Sequence, residues 1–145
     1  MGQKSPARKG AVKMKKRVLI LCTGNSCRSQ MAEGVLRHYG DDRFEVFSAG
    51  TKPSKVNETA IQVMSEIGID ISGQRSKHVS EFAGQRFDAI ITVCDNAKEA
   101  CPVFPGNGIK LHWSFPDPAG GLDQFREVRD RIHAKFKQYA ADSVS

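Results

Sequence analysis

Cys22 and Arg28 enclose five residues, Thr23-Gly24-Asn25-Ser26-Cys27, and Ser29 follows them. An apolar run, Val18-Leu19-Ile20-Leu21, precedes this stretch and a helical pattern follows it. A loop that closes onto a helix N-terminus turns several backbone N–H groups toward one point, which makes a cradle for a tetrahedral oxyanion. In such a cradle Gly24 supplies backbone freedom for the tight curl. Arg28 grips the anion with two parallel hydrogen bonds from its planar fork. Cys22, at the start of the loop, sits under the same positive field, which favours the nucleophilic thiolate. Lowering a thiol pKa by about two units takes roughly 2.7 kcal/mol of preferential anion stabilisation, within reach of a helix terminus plus an arginine. Ser29 is placed to donate one more hydrogen bond to the Cys22 sulfur.

The elements that must hold this loop read as alternating strands and helices. Residues 17–22 predict a buried strand. Met31, Ala32, Val35 and Leu36 recur at helical spacing until Gly40. Residues 44–49 predict a second strand. Pro53 and Asn57 introduce a helix with Ala60, Ile61, Met64 and Ile67 on one face, ended by Gly68. Residues 69–72 read as a short extended piece and 79–85 as a brief helix. Residues 87–94 are the clearest buried strand, and 109–113 another. A last helix from Leu122 to Tyr139 buries a stripe of Leu122, Phe125, Val128, Ile132, Phe136 and Tyr139. This order predicts an α/β fold: a single open, mostly parallel sheet flanked by helices on both faces. Such sheets bind ligands beyond the carboxyl ends of their strands. Cys22 and Cys94 each end a strand and so share that edge, and Asp117-Pro118 follows the last strand toward it.

The 145-residue chain carries a net charge of +6. Residues 1–17 hold seven basic residues and no acidic one, leaving fifteen basic and sixteen acidic residues for the rest. The basicity therefore belongs to the N-terminal segment, residues 1–16, which reads as a disordered tail ahead of one domain over 17–145. A nucleic-acid-binding domain would carry its positive patch on the fold, so that function is excluded. No apolar run reaches the length of a membrane span, and the run after the basic segment is too short for a signal peptide. A cytoplasmic location is the expectation. Four cysteines in such a protein point to redox, catalytic or metal roles rather than structural disulfides. Their Cys-x4-Cys and Cys-x6-Cys spacings suit zinc poorly, and a zinc on the first pair would block the cradle. No metal site is expected.

Taken together, residues 22–34, Ser48-Ala49-Gly50, Ile69-Asp70-Ile71-Ser72, Cys94 with Cys101-Pro102, and His112-Trp113 with Asp117-Pro118-Ala119-Gly120 resemble the thioredoxin-coupled arsenate reductases. Those reductases share their fold with low-molecular-weight protein tyrosine phosphatases. The resemblance covers nearly everything after the tail. It implies an oxyanion cradle of Thr23, Gly24, Asn25, Ser26, Cys27, Arg28 and Ser29. It also implies a redox-active relay of Cys22, Cys94 and Cys101 that reduces arsenate for arsenic detoxification. Asp117 would be the general acid, Cys27 a packing residue, and thioredoxin the external reductant. No bound cofactor and a monomeric enzyme are expected. The alternatives are a phosphatase acting on phosphoesters and a non-enzymatic thiol or arsenic-binding protein. Against the phosphatase, Ala119-Gly120-Gly121 follows Asp117-Pro118 where an aromatic side chain would hold a phosphotyrosine ring.

Two further expectations follow. Residues 95–100 read as helical, and a Cys94–Cys101 disulfide would require Cα atoms roughly 4.4–6.8 Å apart, closer than a regular helix puts them. That segment should loop out on oxidation. Some relatives also bind a potassium ion beside the loop, through ligands matching Asn25, Glu33 and Ser48 together with a Thr and an Asp. Here those last two positions read Arg75 and Lys77. Lys77, or else Arg75, is expected to pair with Glu33 in place of the ion.

Overall fold

The computed structural model describes residues 15–95 and 104–142. The segment 96–103, with Cys101 and the expected looping helix, lies outside the described residues, as does most of the basic tail. Four strands, β1 (Lys16–Cys22), β2 (Phe44–Gly50), β3 (Ala89–Thr92) and β4 (Ile109–His112), form one parallel sheet in the order β2-β1-β3-β4. β1 is central because its apolar run can be covered on both faces, and Val18, Leu19, Ile20 and Leu21 are all buried. Each such side chain contributes about 1.5–3 kcal/mol when fully buried.

Three helices are described: α1 (Arg28–Gly40), α2 (Glu58–Ser65) and α3 (Leu122–Asp142). α1 and α3 pack on each other over one face of the sheet, and α2 leans on α3. On the other face the 3₁₀ turn Val79–Phe82 brings Phe82 edge-on to Phe47 and Phe87. The predicted α1 stripe of Met31, Ala32, Val35 and Leu36 is fully buried. Asn57 caps α2 by accepting a hydrogen bond from Ala60 N, and Gly68, at φ 80°, closes the turn after it.

Several boundaries move. α3 runs three residues beyond Tyr139, and the brief helix expected over 79–85 is a single 3₁₀ turn. β3 is shorter than residues 87–94, because the ladders to its neighbours span only Ala89–Thr92. Asp88 N and Val93 N still donate to Arg17 O and Leu21 O of β1. Residues 69–72 join no strand. β1 has a neighbour on each side, reached by chain connections running in opposite directions. The crevice between the C-terminal ends of β1 and β3 is thus the topological switch point of the sheet.

Candidate active site

The loop after β1 occupies that crevice, and its carbonyl oxygens are all engaged on the outside. Thr23 O accepts from Lys52 N at 2.9 Å, Gly24 O from Ser54 N at 3.2 Å and Ser76 Oγ at 3.1 Å. Asn25 O accepts from Gln30 Nε2 at 3.0 Å, Ser26 O from Asn57 N at 2.8 Å, and Cys27 O from Met31 N at 2.9 Å. The N–H groups of residues 24–27 meet no acceptor among the described residues, which leaves them available to an anion. α1 adds its own unsatisfied first-turn donors, since Cys27 provides no side-chain cap and the first turn has no acidic residue. The result is a ring of donors suited to a tetrahedral anion.

The curl itself is made differently from the expectation. Asn25, not Gly24, is the left-handed residue, at φ 45°. Asparagine tolerates that region because its short amide finds local hydrogen bonds. Here Asn25 Nδ2 donates to Ser29 Oγ at 2.8 Å and Ser48 Oγ at 2.9 Å, while Oδ1 accepts from Lys77 N at 2.9 Å. A Cβ at Gly24 would meet nothing closer than 3.6 Å. Gly50 is the glycine the site needs: a Cβ there would stand 2.4 Å from Thr23 O and 2.8 Å from Cys22 O. Ser29 also departs from expectation: its oxygen accepts from Asn25 Nδ2, and no bond to the Cys22 sulfur joins it among the described residues.

Cys22, Cys27 and Cys94 are all buried. Cys94 follows β3 and reaches across the crevice to the side of Cys22, where its sulfur favours the protonated Cys22 thiol. Its Sγ also lies 3.3 Å from Thr23 Oγ1. The Cys94 hydrogen bond and burial push the Cys22 thiol up from its ordinary value, against the opposing pull of Arg28 and the Thr23 N–H. This corrects the expectation of a depressed thiol: the expected positive groups are present, but the sulfur neighbour and desolvation outweigh them. Burial also raises Cys27, to about 12; Arg28 lowers it and Asp117 raises it further. The exposed Asp117 carboxylate is therefore near enough for its charge to act on Cys27. Arg28 Nη1 donates to Phe115 O at 2.9 Å, two residues before Asp117, which ties the loop arginine to the Asp117 segment.

Behind the loop, a polar network that sequence reading captured only in part takes the place of packed hydrocarbon. Ser48 Oγ donates to Glu33 Oε1 at 2.6 Å, and Arg37 Nη2 donates to Glu33 Oε2 at 2.7 Å and to Val46 O at 2.7 Å. The i,i+4 spacing of Glu33 and Arg37 on a helix was the available signal. Gln30 and Gln74 interlock through Gln74 Nε2 to Gln30 Oε1 at 2.7 Å, a pair with no sequence signature. Lys77 Nζ stands 4.0 Å from Glu33 Oε1 and donates to Arg75 O at 2.8 Å. Arg75 instead forms a two-pronged pair with Glu81. Among the described residues no group of three or more His, Cys, Asp or Glu side chains is arranged to hold a metal. Nor is any described helix long and apolar enough to cross a membrane.

This cradle has recognised counterparts. The family model described as low molecular weight phosphotyrosine protein phosphatase matches residues 17–144. The chain belongs to that family. Within the low molecular weight phosphatase family it is similar to an arsenate reductase of Halalkalibacterium halodurans, 45% identical over 133 residues, covering 87% of this chain and 96% of the relative. A solved structure of an arsenate reductase in the phosphate binding state superposes with a TM-score of 0.75 at 36% identity, covering 89% of this chain and 99% of that one. The thioredoxin-dependent arsenate reductase of Corynebacterium glutamicum superposes at 0.75 with 27% identity, covering 90% of this chain and 63% of that one.

Proposed function

We propose that this protein reduces arsenate to arsenite through Cys22, Cys94 and Cys101, is recycled by thioredoxin, and works as a monomer in the cytoplasm. One observation carries the reading: a second buried sulfur, that of Cys94, stands 3.3 Å from Thr23 Oγ1, the side chain directly after Cys22, at the mouth of the anion loop. A phosphatase has no use for that second sulfur.

Arsenate binds with its oxygens on the loop N–H groups and Arg28. As the Cys22 sulfur forms its bond to arsenic, the thiol proton passes to an arsenate oxygen. Asp117 protonates the oxygen that leaves as water. Cys94 then attacks the Cys22 sulfur: a sulfur–sulfur bond forms and the sulfur–arsenic bond breaks. Arsenic keeps the electron pair and departs as arsenite. Cys101 attacks Cys94, freeing Cys22, and the dithiol of thioredoxin reduces the Cys94–Cys101 disulfide. In total, one arsenate and two thioredoxin thiols give arsenite, a disulfide and water. No bound cofactor enters the cycle.

Phosphoester hydrolysis is the second reading, favoured by the family fold and by a cradle that suits phosphate and arsenate alike. The exposed Ala119-Gly120-Gly121 run after Asp117-Pro118 gives an aromatic leaving group no ring to stack on. The deciding experiment is arsenate-dependent NADPH oxidation with thioredoxin and thioredoxin reductase, run beside p-nitrophenyl phosphate hydrolysis. Arsenite release supports the reductase; hydrolysis without it overturns the reading.

A further inference from the structure

Cys94 sits in a bend just beyond the ladder of β3, held by main-chain bonds at Val93 and by the crevice contacts already described. A side chain from β4 spans this bend. Thr92 and His112 are register partners across β3 and β4. His112 Nδ1 lies 2.7 Å from Thr92 Oγ1, and His112 Nε2 lies 2.9 Å from Asp95 Oδ1. One imidazole thus joins the residue two before Cys94 to the residue directly after it. An ionised carboxylate only accepts, so Nε2 carries a proton toward Asp95, while Nδ1 pairs with the Thr92 hydroxyl. Thr92 is buried, which gives the brace a rigid root, whereas Asp95 is 78% exposed and would otherwise be free to carry the bend outward.

We propose that His112 is a positioning residue for the relay, bracing the Thr92–Asp95 bend so that the Cys94 sulfur stays against Cys22. The functional consequence rests on the reductase reading. Attack of Cys94 on the Cys22 sulfur needs the two sulfurs aligned within near-contact distance, and misplacement by about 1 Å can cost on the order of 100-fold. His112 touches neither arsenate nor a reacting sulfur. The cradle and Cys22 do not depend on it.

The test compares His112→Ala and His112→Gln with the unaltered protein; the glutamine amide keeps an N–H able to reach Asp95. Three readouts apply: loss of thiols in a single turnover with arsenate and no thioredoxin, p-nitrophenyl phosphate hydrolysis, and peptide-resolved alkylation of Cys94 by iodoacetamide in the reduced protein. In His112→Ala, the single turnover should slow about tenfold or more while the arsenate KM and the phosphate hydrolysis rate stay within about twofold. Alkylation of Cys94 should quicken, and His112→Gln should recover much of both effects. Unchanged single turnover with unchanged Cys94 alkylation overturns the proposal. Parallel loss of reduction and hydrolysis also overturns it, because that marks a general structural defect. The alkylation readout separates the two ideas: faster Cys94 alkylation in a protein that never releases arsenite upholds the brace and removes the reductase reading.

Discussion

Lys77 Nζ stands 4.0 Å from Glu33 Oε1, and their side chains are only 11% and 4% exposed. The lysine thus brings its charge to the carboxylate that would serve a cation in potassium-binding relatives. Burial lowers the Lys77 amine from its ordinary value, and Glu33 pulls it back up. Potassium should therefore give no gain in melting temperature over sodium or choline at matched ionic strength, which controls for screening. Lys77→Ala should cost about 1–2 kcal/mol in denaturant unfolding, since among the described residues Glu33 then keeps only the half-exposed Arg37 as its ion-pair partner. A potassium-specific rise in melting temperature for the unaltered protein would refute the substitution of lysine for the ion.

The cysteines should separate by role. Cys22→Ser should abolish arsenate reduction and any aryl phosphate hydrolysis, because both begin at the same sulfur. Cys94→Ser and Cys101→Ser should abolish thioredoxin-driven turnover yet spare phosphate hydrolysis. Cys27→Ser should retain most reductase activity. Multiple turnovers by Cys94→Ser in the coupled NADPH assay would rule out the relay.

Gly50→Ala should damage the loop from behind. Its new methyl would collide with Thr23 O and Cys22 O, main-chain atoms that cannot move without opening the ring of amides. Overpacking of this kind costs about 1–3 kcal/mol. The measurement is thermal unfolding together with the affinity for inorganic phosphate. By contrast, Gly24→Ala should be far milder, and equal damage from the two would show that the curl depends on Gly24 after all.

Glu66 offers a pH test of the α2–α3 contact. The Arg126 and Arg129 hydrogen bonds hold its carboxyl at about 2, well below the usual 4.5. With the folded value below the unfolded one, the unfolded chain takes up this proton first. The stabilisation is therefore present above 4.5 and is lost as pH falls toward 2. Glu66→Gln should remove this dependence, giving a flatter acid limb in melting temperature against pH. An unchanged limb would mean that the arginines do not hold the carboxylate in solution.

Much of the architecture was legible because it is written at short range. The apolar run ending at Cys22, the stripe from Met31 to Leu36 and the cap at Asn57 each depend on neighbours within a turn or two, so periodicity and loop chemistry suffice to read them. The place of the cradle, between a strand and a helix N-terminus, is equally local, but its curl is held by distant partners at Lys52, Ser54, Asn57 and Ser76. The tertiary structure decided what is summed over distance. Thr23 and Cys94 meet across 71 positions because β3 lies beside β1, an adjacency no local pattern encodes. The choice of Lys77 over Arg75 beside Glu33 followed from Glu81 lying where it captures the guanidinium. Asn25 rather than Gly24 took the left-handed turn because Ser29, Ser48 and the Lys77 N–H surround its amide. The Cys22 thiol rose rather than fell because burial and the Cys94 sulfur act together on it. Sequence shows which charges are available, but only the packed structure sets their distances and how much water is removed.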